Sequence, residues 1–175
     1  EFVQLCMIKN SIVFMDGPNL NNTCLKLNIK KPNDIEFLPL PVKLSEINKK
    51  VNKKKTLSIS WVGRIEGFKY NMIIFILTKF SKYCNENKIK INFHLVGDGT
   101  KLNILKKLDF ENKFFAVEFH GNLKYKNFIN LLNNSVDLSF AMGTSALDSA
   151  KIGIPTVLVD YSFKKIKNYK FRWIF

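Results

Sequence analysis

From Thr56 onward the chain alternates short apolar runs with stretches of helical spacing, and no other feature narrows its fold as sharply. Residues 57–62, 91–96, 115–119, 136–140 and 156–159 are apolar runs of strand length, several of them closed by glycine. Between them, residues 70–87 set Ile73, Ile76, Leu77 and Phe80 at helical spacing, and residues 101–108 do the same with Leu102, Leu105 and Leu108. Residues 124–133 and 145–152 complete the series. Strands joined by helices need crossover connections, which leave neighbouring strands parallel. The expected fold is therefore α/β, a doubly wound parallel sheet, with any ligand held beyond the carboxyl ends of the strands.

The first 55 residues lack this alternation. Residues 11–15 suit one strand, Asp16-Gly17-Pro18-Asn19 is turn chemistry, and residues 37–42 are extended by Pro39 and Pro41. They are expected to be the remnant of a preceding domain and a linker, residues 1–55, leading into a second domain, residues 56–175. At 175 residues the chain has the size of one domain, and 46% hydrophobic residues suffice to cover both faces of a sheet. Its longest strong apolar run, residues 72–77, falls far short of the ~20 residues that cross a bilayer.

Cys6, Cys24 and Cys84 stand apart, without a CxxC pair or a nearby histidine, and read as reduced thiols of a cytosolic protein. The net charge of +14 would suit an anionic surface. Its only dense block, Lys49, Lys50, Lys53, Lys54 and Lys55, falls between segments and reads as a solvated linker. No basic stretch is interleaved with aromatics as RNA binding requires, so nucleic acid is not an expected partner.

The informative residues are those that follow each strand. In order they are Gly63-Arg64, Gly97-Asp98-Gly99, His120-Gly121-Asn122, Met142-Gly143-Thr144-Ser145 and Asp160. Glycine lets a backbone approach a ligand, and Gly143, Thr144 and Ser145 also open a helix whose amides favour phosphate. Arg64 offers a planar fork for phosphate oxygens and Lys69 a second cation. Asp148 has the chemistry to accept ribose hydroxyls. Each alone has a plainer reading: turn punctuation for the glycines, a surface ion pair for Arg64, a dipole contact for Asp148, a packed imidazole for His120. Their ordered arrival at successive strand ends is the stronger signal. No Walker loop, GxGxxG fingerprint, HExxH or other metal spacing, or GxSxG elbow is present, which argues against P-loop NTPases, dinucleotide oxidoreductases and serine hydrolases.

Trp61-Val62-Gly63-Arg64, Lys69, Leu95-Val96-Gly97-Asp98-Gly99, Phe119-His120-Gly121, Gly143-Thr144-Ser145-Ala146-Leu147-Asp148 and Gly153-Ile154-Pro155 resemble, in this order and spacing, the C-terminal domain of retaining GT-B glycosyltransferases of the group 1 type. That group includes bacterial enzymes that build capsular and lipid-linked polysaccharides. The resemblance spans residues 56–159, and residues 38–42 are similar to the segment by which such enzymes pass from one domain to the next.

It implies the Rossmann-like, donor-binding half of a two-domain fold, a nucleotide-sugar donor with UDP as first choice, and transfer with retention to a saccharide or lipid-linked saccharide. Arg64 and Lys69 would be catalytic, stabilising the departing diphosphate without cofactor or metal. Gly63, Gly97 and Gly143, Thr144 and Ser145 would contact the donor, His120, Gly121 and Asn122 would lie near its base, and Asp148 would replace the second glutamate of the family's pair. The sequence departs from the pattern at Asp148, one methylene shorter, and at Phe140, which stands where the first glutamate usually does. Family members continue with further helices, so the chain is expected to be truncated and inactive alone. A cytoplasmic site, with peripheral contact to an anionic inner membrane face, follows from the resemblance and the charge. Two alternatives are a sugar-nucleotide epimerase of the same fold, which would need acid/base carboxylates and histidines in the cleft, where the sequence offers only His94 and His120 as histidines, and a non-catalytic basic module binding anionic lipid or nucleic acid.

Overall fold

The computed structural model describes residues 13–14, 16–33, 35–38 and 56–174. Cys6, the lysine block at 49–55, residues 39–42 of the extended segment, and Ser11, Ile12 and Met15 of the expected first strand lie outside the described residues. The chain divides into two compact units, Glu1–Lys43 and Leu44–Phe175.

In the first unit the residues expected to form a turn instead start a helix, α1 (Gly17–Leu27). Asp16 is extended and its carboxylate accepts from the Asn19 amide at 2.8 Å, while Pro18 occupies the first turn, where its missing N–H costs nothing. Asn28, in the left-handed region at φ 51°, ends the helix. Leu20 and Cys24 pack with Phe14, which forms a single parallel bridge to Phe37.

The second unit is a six-stranded sheet in the order β3-β2-β1-β4-β5-β6. Its strands are β1 (Leu57–Val62), β2 (Ile91–Val96), β3 (Phe115–Gly121), β4 (Leu138–Ala141), β5 (Thr156–Leu158) and β6 (Arg172–Trp173). The first five are mutually parallel, as expected. The helices are α2 (Gly67–Asn87), α3 (Leu102–Leu105), α4 (Tyr125–Ser135) and α5 (Thr144–Ala150). This is a Rossmann-like doubly wound order, which reverses direction between β1 and β4.

Several boundaries differ from the sequence reading. Helix α3 stops at Leu105, because the amides of Lys107 and Leu108 tighten onto Ile104 and Leu105, and Leu108 is left exposed. Val136 belongs to the end of α4, its amide reaching Leu132, so β4 begins two residues later than expected. The antiparallel β6 was not anticipated; two residues are too few to show a period.

Alternation along β1 and β2 separates two faces. One carries Ile59, Trp61, Phe93 and Leu95 against Met72, Ile73, Ile76 and Leu77 of α2. The other joins Val62, Val96 and Ala141 to Phe128 and Leu132 of α4 and Ala146 of α5. On this second face one register row crosses five strands with polar residues throughout: Glu118, His94, Ser60, Ser139 and Thr156. Ser60 donates to Ser139 at 3.1 Å, and Ser139 lies 3.1 Å from the Ser149 hydroxyl of α5. These hydroxyls are buried but partnered, as buried polar groups must be.

Candidate functional site

Beyond the carboxyl ends of β1, β2, β3 and β4 lies a cleft of about 730 Å³, at the point where the strand order reverses. That size is within the ~300–1,000 Å³ typical of small-molecule sites. Val62, Val96, Leu123 and Phe128 give it an apolar base, and Arg64, Glu66, Asp98, Thr100, Asn122 and Ser145 supply polar groups.

Two of its loops are interlocked. The Gly63 amide donates to Val96 O at 3.0 Å, the Ile65 amide to Asp98 O at 2.9 Å, and the Lys101 amide to Ile65 O at 3.1 Å. A Cβ on Gly97 would stand 2.0 Å from Gly63 O, and φ there is +139°. Glycine at 97 is thus required by loop-on-loop packing, a different reason from the ligand approach inferred from sequence. The third loop joins through the Gly97 amide, which donates to Gly121 O at 2.8 Å.

The cations differ in setting. Arg64 is exposed, and among the described residues no carboxylate pairs with its guanidinium. Lys69, in the first turn of α2, lays its ammonium over Gly63, 3.4 Å from where a Cβ would stand there. Burial holds the Lys69 pKa below its ordinary 10.5, the nearby Arg64 charge lowers it further, and Glu66 partly offsets both. Two cations that repel each other beside an apolar-based cleft suit an anion that would relieve the repulsion. Glu66 accepts from the Thr100 hydroxyl at 2.9 Å and Asp98 from the Gly99 amide at 2.7 Å, so both acids serve the loops.

Of the residues singled out in the sequence, Gly63, Arg64, Gly97, Asp98, Gly99, Asn122 and Ser145 line the cleft together. Ser145 is held by the serine chain, since the Ser149 hydroxyl donates to Ser145 O at 3.1 Å. Gly143 caps α5 at φ 58°, and the first helical bonds reach back to its carbonyl from Ala146 and Leu147. Thr144 and Gly143 are exposed and, like Gly121, lie outside the cleft lining. Asp148 also lies outside it, its carboxylate 2.5 Å from the Lys151 ammonium. Phe140 points into the α2 core, edge-on to Phe80 at 5.7 Å. Asp160 is tied to Tyr169 and Arg172.

His120 turns away from the cleft lining and meets His94, with Nε2 3.0 Å from His94 Nδ1. Glu118 completes this cluster. Sequence reasoning missed it because strand register joins the residues. It also missed Glu66, Leu123 and Phe128 as cleft residues, and Phe128 was legible only as an apolar helix position.

A mutant of S. aureus TarM, in a crystal structure with fondaparinux, alpha-GlcNAc-glycerol and UDP, shares this architecture. The TM-score is 0.63 at 13% identity, over 84% of this chain. The chain spans 29% of the length of that protein. This is a likeness of fold. No protein-family model matches the sequence, and no curated protein matches it. No helix among the described residues is long and apolar enough to cross a membrane.

Proposed function

We propose that the chain is the donor-binding half of a retaining GT-B glycosyltransferase, taking a nucleotide sugar, UDP-linked by first choice, for transfer to a saccharide or lipid-linked saccharide in polysaccharide synthesis. The observation that carries this reading is the cleft at the sheet's reversal point with Arg64 in its wall and Lys69 above Gly63. The structural neighbour's complex with UDP and a saccharide supports it.

In this reading the apolar base and Asn122 receive the nucleoside, and Gly63, Gly97 and Ser145 bring backbone close to the diphosphate. Arg64 and Lys69 stabilise the charge that develops on the leaving group, in place of a metal, an electrostatic contribution that is often the largest in a barrier. His120, Gly121, Gly143 and Thr144 flank the cleft rather than line it. Asp148 is assigned to the ribose, which requires it to leave Lys151 when donor binds. The acceptor would come from the other half of the enzyme, at the cytoplasmic face of a membrane. An epimerase is disfavoured, because both histidines face Glu118 instead of the cleft.

Calorimetric titration with UDP and GDP, without metal and then with magnesium, tests the proposal. Binding of one nucleotide, weakened in Arg64→Ala and indifferent to magnesium, is expected. A folded chain that binds neither, or that loses all binding steeply with salt whatever the base, would favour the basic-module reading.

A further inference from the structure

The two histidines of this chain, 26 positions apart, are brought into contact by strand pairing. His94 on β2 is the register partner of Glu118 on β3, and both belong to the polar row of the second face. Between Leu95 and Val96 the pairing slips by one residue, so that Phe119 and Gly121 are consecutive partners and His120 is the additional residue. Alternation keeps His120, two residues past Glu118, on the face of His94, and the slip leaves it beside that residue instead of paired with Val96.

Three donor atoms converge as a result. His94 Nδ1 is 3.0 Å from His120 Nε2 and 3.3 Å from Glu118 Oε2, and the last two are 3.7 Å apart. Ligand atoms at ~2.0–2.1 Å from a tetrahedral zinc are separated by roughly 3.3 Å. The three observed sides bracket that value, one shorter, one equal and one longer. The exposures are graded as an open site needs: the His94 side chain is 7% exposed, that of His120 23%, that of Glu118 51%. A metal seated on the triangle would have its fourth position toward solvent. Two imidazoles and a carboxylate form a borderline donor set that suits zinc and its first-row neighbours and not magnesium or calcium.

We propose that His94, Glu118 and His120 form a binding site for a divalent transition metal, zinc by its donor chemistry, separate from the cleft. The metal would replace the contact between the imidazoles and fasten β3, an edge strand, to β2. Because Gly121 O accepts from the Gly97 amide and Asn122 lines the cleft, the same fastening would hold one wall of the cleft in place.

The test is titration of the whole chain, free of any affinity tag, with zinc by calorimetry and with cobalt by visible absorption. Expected are one metal per chain, a cobalt spectrum of tetrahedral nitrogen and oxygen ligation without thiolate charge transfer, and a raised melting temperature. Glu118→Gln, at an exposed position where folding is not at risk, should weaken zinc at least tenfold, and His120→Ala a hundredfold. Circular dichroism without metal checks that both variants fold, and unchanged UDP binding by metal-free Glu118→Gln separates this site from the donor cleft. No saturable binding at one equivalent, a thiolate spectrum, or affinity untouched by both substitutions would overturn the proposal.

Discussion

On one face of the sheet, β1 and β2 present Ile59, Trp61, Phe93 and Leu95 to a long helix; on the other, the same strands present Ser60 and His94 in a row that continues through Ser139 and Thr156. The first face is filled by volume: Phe93 lies among Phe80 and Phe115, with ring centroids 6.2 and 6.1 Å away. The second sets beside the apolar cluster of Val62, Val96 and Phe128 a row of small hydroxyls satisfied in sequence, Ser60 to Ser139 to Ser149, ending on the carbonyl of Ser145. The large side chains hold the sheet to α2, whereas the small ones let α5 approach it and deliver Ser145 to the cleft. Stability and site placement are thus divided between the two sides of one sheet.

Substitutions can break that division. Phe93→Ala should have the largest effect, about 3–5 kcal/mol of unfolding free energy, since it opens a cavity among aromatic rings. Urea denaturation measures it, and a loss no greater than that from a serine would erase the contrast. Ser139→Ala should cost about 1–3 kcal/mol, because Ser60 and Ser149 lose their shared partner. The Ser60→Ala/Ser139→Ala pair should cost less than the sum, a coupling that a double-mutant cycle reads directly. Ser139→Ala should also lower nucleotide affinity through α5, which Phe93→Ala in a still-folded chain should not.

Arg64→Ala belongs to neither face. It should leave unfolding within about 0.5 kcal/mol of the parent while weakening nucleotide binding about tenfold, or ~1.4 kcal/mol. A large loss of stability would mean that Arg64 holds the loops together.

The smallest effect concerns pH. Lys69 has its folded pKa below 10.5, so the unfolded chain binds the extra proton in the window between the two values, and stability gains as pH rises through it. Anion binding has the opposite sign: affinity is complete while Lys69 is protonated and falls as pH climbs through the lowered value. Nucleotide titrations up to pH 10.5 should show this decline, and Lys69→Arg should flatten it.

The parallel sheet was legible because five apolar runs separated by crossover-length segments leave few alternatives. Its boundaries were less so: Leu108 and Val136 fit the apolar pattern equally in helix, strand or turn, and only packing decided. Asp16-Gly17-Pro18 carried a helix start in plain view, an N-cap followed by a first-turn proline, yet the same residues also satisfy a turn. For the cleft, position after a strand found Gly63, Arg64, Gly97, Asp98, Gly99, Asn122 and Ser145. It could not separate Asn122, which lines the cleft, from His120 two residues earlier, because His120 is still inside β3 and against His94 whereas Asn122 lies past the strand's end, a boundary that spacing does not show.

With Gly97 set against Gly63 O, and Gly99 against Ile65 O, where an added Cβ would stand 2.6 Å away, neither loop of β1 and β2 can be redrawn without redrawing the other. Their backbones behave as one casting. Variation among proteins built this way should therefore fall on side chains that stand up from it without tying it, as Arg64 does, and a change of ligand would be achieved by repainting this surface while its contour is inherited unaltered.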